Sequence, residues 1–170
     1  IRGLRESWDT PPDAIQLDCN TQYAKWPGKD YAEPILEVGA HEIDTLRWLR
    51  APVEPQLVTA SLNGDGKGYN GCTLVFDTND RIVMRWAAPP SRRIVARWDD
   101  RPEQAVWPSL GQDLEQSYRD EMAYFLMKVE RDRDVMWTLQ IGPPYHATFE
   151  DGVAVLKVIE AAKALLGVKA

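Results

Sequence analysis

Ile35-Leu36-Glu37-Val38-Gly39-Ala40-His41-Glu42-Ile43-Asp44-Thr45-Leu46-Arg47-Trp48-Leu49 is the stretch on which the reading of this chain turns. Its apolar spacing predicts a helix that Pro34 opens, that runs to about Arg50 and that Pro52 stops. At 3.6 residues per turn, Glu37, His41, Asp44 and Trp48 fall along one side. Gly39 is costly in a helix interior and predicts that another backbone or a ligand comes close there.

The period changes downstream. From Pro55 to Trp107 apolar residues alternate with polar ones: Ile82, Met84 and Trp86 against Arg81, Val83 and Arg85, then Ile94, Ala96 and Trp98 against Arg93, Val95 and Arg97. Strands are expected at 56–62, 69–77, 80–87, 92–99 and 103–107. Short turns such as Asn63-Gly64-Asp65-Gly66 and Asp77-Thr78-Asn79-Asp80 join them into an antiparallel meander. One face is apolar and the other mixes Arg with Val. That second face reads as exposed with cross-strand charge pairs, as a subunit interface or, least, as an anion site.

Upstream, residues 1–8 read as an opening strand, and residues 13–33 as a long ordered loop carrying Trp26-Pro27-Gly28. Beyond the strands a second helical stripe runs through Leu114, Tyr118, Met122, Phe125 and Val129. A last helix follows Thr148, with Asp151 completing a capping box and Gly167 as C-cap. The whole is one α+β domain, a sheet with helices laid over one face.

Composition supports a packed domain and narrows its partners. The chain has 170 residues, 44% of them hydrophobic and 27% charged, enough apolar material for a real core. Twenty-six Asp and Glu against 20 Lys and Arg give a net charge of −6, which argues against nucleic acid and against anionic membrane surfaces. No apolar run is long enough to span a bilayer, and no secretory signal opens the chain. Cys19 and Cys72 form neither a disulfide framework nor a zinc motif, so a reducing cytoplasm is the expected location and no metal is expected. The chain begins at Ile1, without Met, and reads as a piece of something longer.

Glu37 and His41 are the chemically suggestive pair. A carboxylate one turn from an imidazole orients it and favours its protonated form. Such a group suits removal of a proton from an alcohol while a hydride leaves the same carbon. Glu–His pairs at this spacing are also common on helices that do no chemistry. Asp44 and Arg47 read as a pair that orients the helix.

Glu-x-Gly-x-His-x-x-Asp-x-x-Arg-Trp-Leu resembles the signature helix in the C-terminal domain of the Gfo/Idh/MocA oxidoreductases, the glucose–fructose oxidoreductase and inositol dehydrogenase family. Tyr118-x-x-Glu121-x-x-x-Phe125 and Phe149-Glu150-Asp151-Gly152 also look like that domain, and the resemblance covers essentially all 170 residues in order. It implies an open, mostly antiparallel sheet with helices on one face, similar to the C-terminal domains of dihydrodipicolinate reductase and glyceraldehyde-phosphate dehydrogenase. It implies an NAD- or NADP-dependent oxidoreductase acting on a sugar, inositol or related polyol. His41 matches the family's catalytic histidine. Glu37 matches a position that is commonly Asp.

The same resemblance marks departures. The family's Rossmann domain and its Glu-Lys-Pro motif are absent, and neither Lys25 nor Lys29 has that motif's context. Gly64-x-Gly66-x-Gly68 has the wrong spacing for a dinucleotide fingerprint and reads as a hairpin turn. No cofactor is therefore expected on this chain alone, nor activity without a Rossmann-domain partner. A homodimer through the open sheet face is expected. Trp26, Asp30, Tyr31 and His146 are candidate substrate contacts, each also readable as an ordinary loop residue. The rival reading is a stand-alone, non-catalytic sugar-binding or dimerisation module that has lost its cofactor half. A cofactor-independent lyase or isomerase using Glu37 and His41 has no positive signal.

Overall fold

A computed structural model of the chain describes residues 8–22, 32–64, 69–108 and 149–167. Six strands and two helices occur among them: β1 (Ala14–Gln22), α1 (Ala32–Arg50), β2 (Leu57–Gly64), β3 (Tyr69–Phe76), β4 (Arg81–Arg85), β5 (Ala87–Trp98), β6 (Arg101–Pro108) and α2 (Phe149–Leu166). The expected opening strand at 1–8 and the helical stripe from Leu114 to Val129 lie outside the described residues, apart from Trp8.

The strands form one open sheet in the order β2-β3-β4-β1-β5-β6. Every neighbouring pair is antiparallel except β1 with β4, which run parallel. Two expectations are corrected here. Residues 14–22, read as part of a loop, are a central strand, and β4 and β5 are not neighbours because β1 lies between them. In β1 the apolar Ile15, Leu17 and Cys19 alternate with Gln16, Asp18 and Asn20, a period of two that Asp and Asn weaken by their low strand propensity. Pairing on both edges overrides that local preference.

Register assigns each face. Leu17 stands beside Ile82 and Ile94, Cys19 beside Met84 and Arg92, and Leu74 beside Ile82. These apolar side chains are buried with Ile35, Ile43 and Leu46 of α1 and Ile159 of α2, so both helices cover this face. Each such side chain contributes roughly 1.5–3 kcal/mol through burial. On the opposite face Arg85 lies 3.8 Å from Asp18, and Glu103 lies 2.7 Å from Arg97 and 3.8 Å from Arg93. Arg81, Arg85, Arg93 and Arg97 are all exposed there, and the last three form the expected cross-strand charge pairs.

Two close approaches set how tightly the layers meet. Gly39 faces Met84, whose Sδ would lie 3.3 Å from a Cβ at residue 39. The expected visitor, a backbone or a ligand, is thus a methionine side chain of the sheet. At Gly71 an added Cβ would sit 2.2 Å from the Met84 carbonyl oxygen, so β3 and β4 can pair in this register only with glycine there. α2 ends as its sequence suggests, with Gly167 at φ +68° and its N–H donating to the Ala164 carbonyl.

Buried polar groups tie these elements together. Asp80 has no exposed surface, and its carboxylate accepts from the Ile15 N–H at 2.7 Å, from Arg50 Nε at 2.7 Å, from Arg50 Nη2 and from the Thr78 hydroxyl. Arg50 Nη1 also donates to the Pro12 carbonyl at 2.6 Å. Removing one partner would leave a buried charge uncompensated. Asp80→Ala is therefore expected to cost about 3–5 kcal/mol, read as a lowered denaturant midpoint; an unchanged midpoint would refute this role.

Candidate functional site

α1 has two functionally different sides. Its buried stripe is Ile35, Gly39, Glu42, Ile43, Leu46 and Leu49, while His41 and Asp44 are exposed. Proline at position 34 falls in the first turn, where no intrahelical acceptor is missed. The helix ends at Arg50, two residues before Pro52, as expected.

Glu42 breaks the apolar stripe. It is 3% exposed, and Arg92 of β5 reaches it from the sheet, with Nε 3.0 Å from Oε1 and 3.2 Å from Oε2. Arg92 Nη2 donates to the Thr45 hydroxyl at 2.7 Å, and that hydroxyl donates to the His41 carbonyl at 2.8 Å. The buried Cys19 of β1 and Glu42 influence each other electrostatically. A continuous polar path thus joins strand β5 to the helical turn that carries His41.

The electrostatics follow from burial. Burial holds the Glu42 carboxyl above its ordinary range, against the opposing pull of Arg92. The Cys19 thiol is pushed up to about 12 by burial, helped by the Glu42 charge, and burial alone raises Cys72 to about 12. Both cysteines are free, buried and protonated at neutral pH, so neither is a nucleophile. Asp44, exposed at one side, is also raised by partial desolvation, although Arg47 and His41 pull it the other way.

Arg47 makes the expected pair with Asp44 and also reaches beyond it. Its distance to Asp44 is 3.9 Å, whereas it makes a hydrogen bond to Glu54 and reaches Asp151 of α2 at 3.2 Å through both the carboxylate and the backbone carbonyl. It holds the two helices together more than it orients one. Asp151 lies in the first turn of α2, where a carboxylate also meets the positive helix end.

The remaining candidates divide plainly. His41 is placed and exposed. Glu37 belongs to α1, but its side chain lies outside the described residues, as do Trp26, Asp30, Tyr31 and His146. Gly64 and Tyr69 pair across antiparallel β2 and β3, so Gly64-x-Gly66-x-Gly68 joins two strands and does not lead from a strand into a helix. That stretch does not fit a dinucleotide fingerprint. Among the described residues no group of three or more His, Cys, Asp or Glu could hold a metal ion, and no helix is long and apolar enough to cross a membrane.

Sequence reasoning missed Glu42, Thr45 and Arg92. The signals were present: Glu42 falls among core-facing positions of α1, and Arg92 shares its alternation with Ile94 and Ala96 on the apolar face of β5.

No protein-family model and no curated protein matches the sequence. Solved structures do match the fold. Myo-inositol dehydrogenase from Lactobacillus casei, in complex with NAD(H) and myo-inositol, is similar at a TM-score of 0.69 and 14% identity over 96% of this chain and 55% of that one. A probable dehydrogenase from Thermotoga maritima gives 0.64 and 20%, over 98% of this chain and 58% of that one. UDP-N-acetylglucosamine 3-dehydrogenase GnnA from Acidithiobacillus ferrooxidans gives 0.60 and 17%, over 98% and 57%. The chain therefore spans 55–58% of the length of these structures. Its fold is the α+β open-sheet domain found at the C-terminal side of such dehydrogenases.

Because Glu42 is held above its ordinary value of 4.5, the folded state binds its proton more tightly than the unfolded chain does. Its stability contribution is present below the unfolded value and is lost as pH rises through the folded one. Glu42→Gln is expected to flatten this part of the stability profile between acid and neutral pH. Equal slopes for both proteins in urea titrations would contradict that assignment.

Proposed function

We propose that this chain is the substrate-side domain of a Gfo/Idh/MocA-type NAD- or NADP-dependent oxidoreductase that acts on a sugar, inositol or related polyol. The observation that carries the reading is the exposed His41 on a helical turn anchored from beneath by Glu42, Thr45 and Arg92. An imidazole so presented can accept a hydroxyl proton as the carbon beneath that oxygen becomes a carbonyl. The fold likeness to polyol and sugar-nucleotide dehydrogenases supports the substrate class.

In this reading the dinucleotide is held by a Rossmann domain outside the described residues, in the complete protein or on a partner chain, and supplies the hydride acceptor. This chain contributes the proton acceptor and the wall that orients the polyol. Glu37, one turn before His41, is assigned to orienting the imidazole, and Trp26, Asp30, Tyr31 and His146 to the substrate side.

The test is His41→Ala in the complete protein, assayed with NAD and NADP against sugars and inositols. kcat/KM should fall by about a hundredfold or more. Near-full activity would overturn the assignment. Polyol binding without turnover in the unaltered protein would favour a non-catalytic sugar-binding module instead.

The same reading has a second copy of the chain cover the open sheet face. Exposed Arg85, Arg93 and Arg97 stand among Asp18 and Glu103 there, a mixed-charge surface that can be complementary to itself across a two-fold axis. Light scattering of the isolated chain should give twice 19.3 kDa. Arg93→Glu should return it to the monomer mass, and a monomer before any substitution would refute the dimer.

A further inference from the structure

Arg92 compensates a buried carboxylate while remaining partly exposed itself. A buried ion pair is often replaceable by apolar residues without loss, whereas breaking one partner is costly. Here Glu42 occupies a core-facing position of α1 and fixes Arg92 through Nε, while Thr45 takes one donor of Nη2. Both anchors lie on one edge of the guanidinium. The Nη1 group has no acceptor among the described residues, and the side chain keeps 30% of its surface exposed. Of the five donors of a guanidinium, those on the outer edge remain available in a fixed orientation.

Their location is defined by the helix. His41 and Thr45 are one turn apart on the same side of α1, and the Thr45 hydroxyl touches both Arg92 and the His41 carbonyl. The guanidinium of Arg92 therefore lies against the turn of α1 that runs from His41 to Thr45. Glu42 already lies against the guanidinium charge, so the outer donors suit a neutral oxygen acceptor more than an anion.

We propose that Arg92 is a ligand contact: its outer edge donates to a hydroxyl oxygen of the polyol or sugar whose reacting carbon lies at His41, and Glu42 is the positioning residue that aims it. This deepens the preceding reading and rests on it. A second hydroxyl held by Arg92 would fix which carbon of a polyhydroxylated ring presents itself to His41, making Arg92 a determinant of regiochemistry.

The experiment uses the complete protein, with myo-inositol, D-glucose and D-xylose as calorimetric probes and turnover measured in parallel. Arg92→Met alone strands Glu42 and can unfold the domain. The decisive variant is therefore Glu42→Leu with Arg92→Met, which replaces the pair with apolar groups and is expected to keep the thermal midpoint. Affinity for the bound probe should fall at least about tenfold in the double variant, with Arg92→Lys intermediate. His41→Ala should keep binding and lose turnover. Unchanged affinity in a folded double variant overturns the Arg92 contact and leaves the dehydrogenase reading standing. Full turnover by His41→Ala overturns that reading while the contact stands. Failure of the unaltered protein to bind any probe overturns both.

Discussion

The Asp80 carboxylate, wholly buried, receives donors from the start of β1, from the last turn of α1 and from the turn between β3 and β4. Its arginine partner approaches with two nitrogens, and the same guanidinium takes up the Pro12 carbonyl. A charge-assisted fork of this kind is directional, so it fixes the axial position and the rotation of α1 over the sheet. Apolar packing alone is tolerant of small slides; this contact is not.

Once α1 is fixed at its C-terminal end, the rest of its geometry follows. Met84 against Gly39 sets how closely the helix lies on β4, and Glu42 against Arg92 sets its contact with β5. Two specific polar clamps, roughly two turns apart along one helix, leave it little freedom to rotate. The consequence is functional: His41 projects from the solvent side of a rigid element, the arrangement that preorganised chemistry needs. Arg47 extends the constraint to α2 through Asp151.

Much of this was legible in residue periodicity. The bounds of α1 followed from Pro34 and Pro52, and the alternation through Ile82–Trp86 and Ile94–Trp98 defined the apolar face of the sheet. β1 was not legible, because Asp18 and Asn20 make it locally indistinct and its two neighbours in the sheet stabilise it. Without β1 the remaining strands read in order as a simple meander. With it, the sheet acquires a parallel pair at its centre, and a strand whose chain leads toward α1. The polar clamps were harder to read for a related reason: Asp80 looks like any turn aspartate, and its partner Arg50 lies 30 residues away. Glu42 and Arg92 were readable in principle, since each is a charged residue at a position that the local period assigns to the core.

That distinction separates the two buried pairs in kind. Arg50 and Asp80 turn inward, with Arg50 donating to Asp80 and Pro12 and keeping only 11% of its side chain exposed. Arg92 and Glu42 are sealed on one side only. The carboxylate is buried, while the Arg92 side chain keeps 30% of its surface exposed. A pair built for stability alone gains nothing from leaving donors in water, and an apolar pair would fill the same space at less risk. The asymmetry is what a binding surface requires: a charge anchored deeply enough to hold its direction, with hydrogen-bonding capacity left over on the helical turn that carries His41.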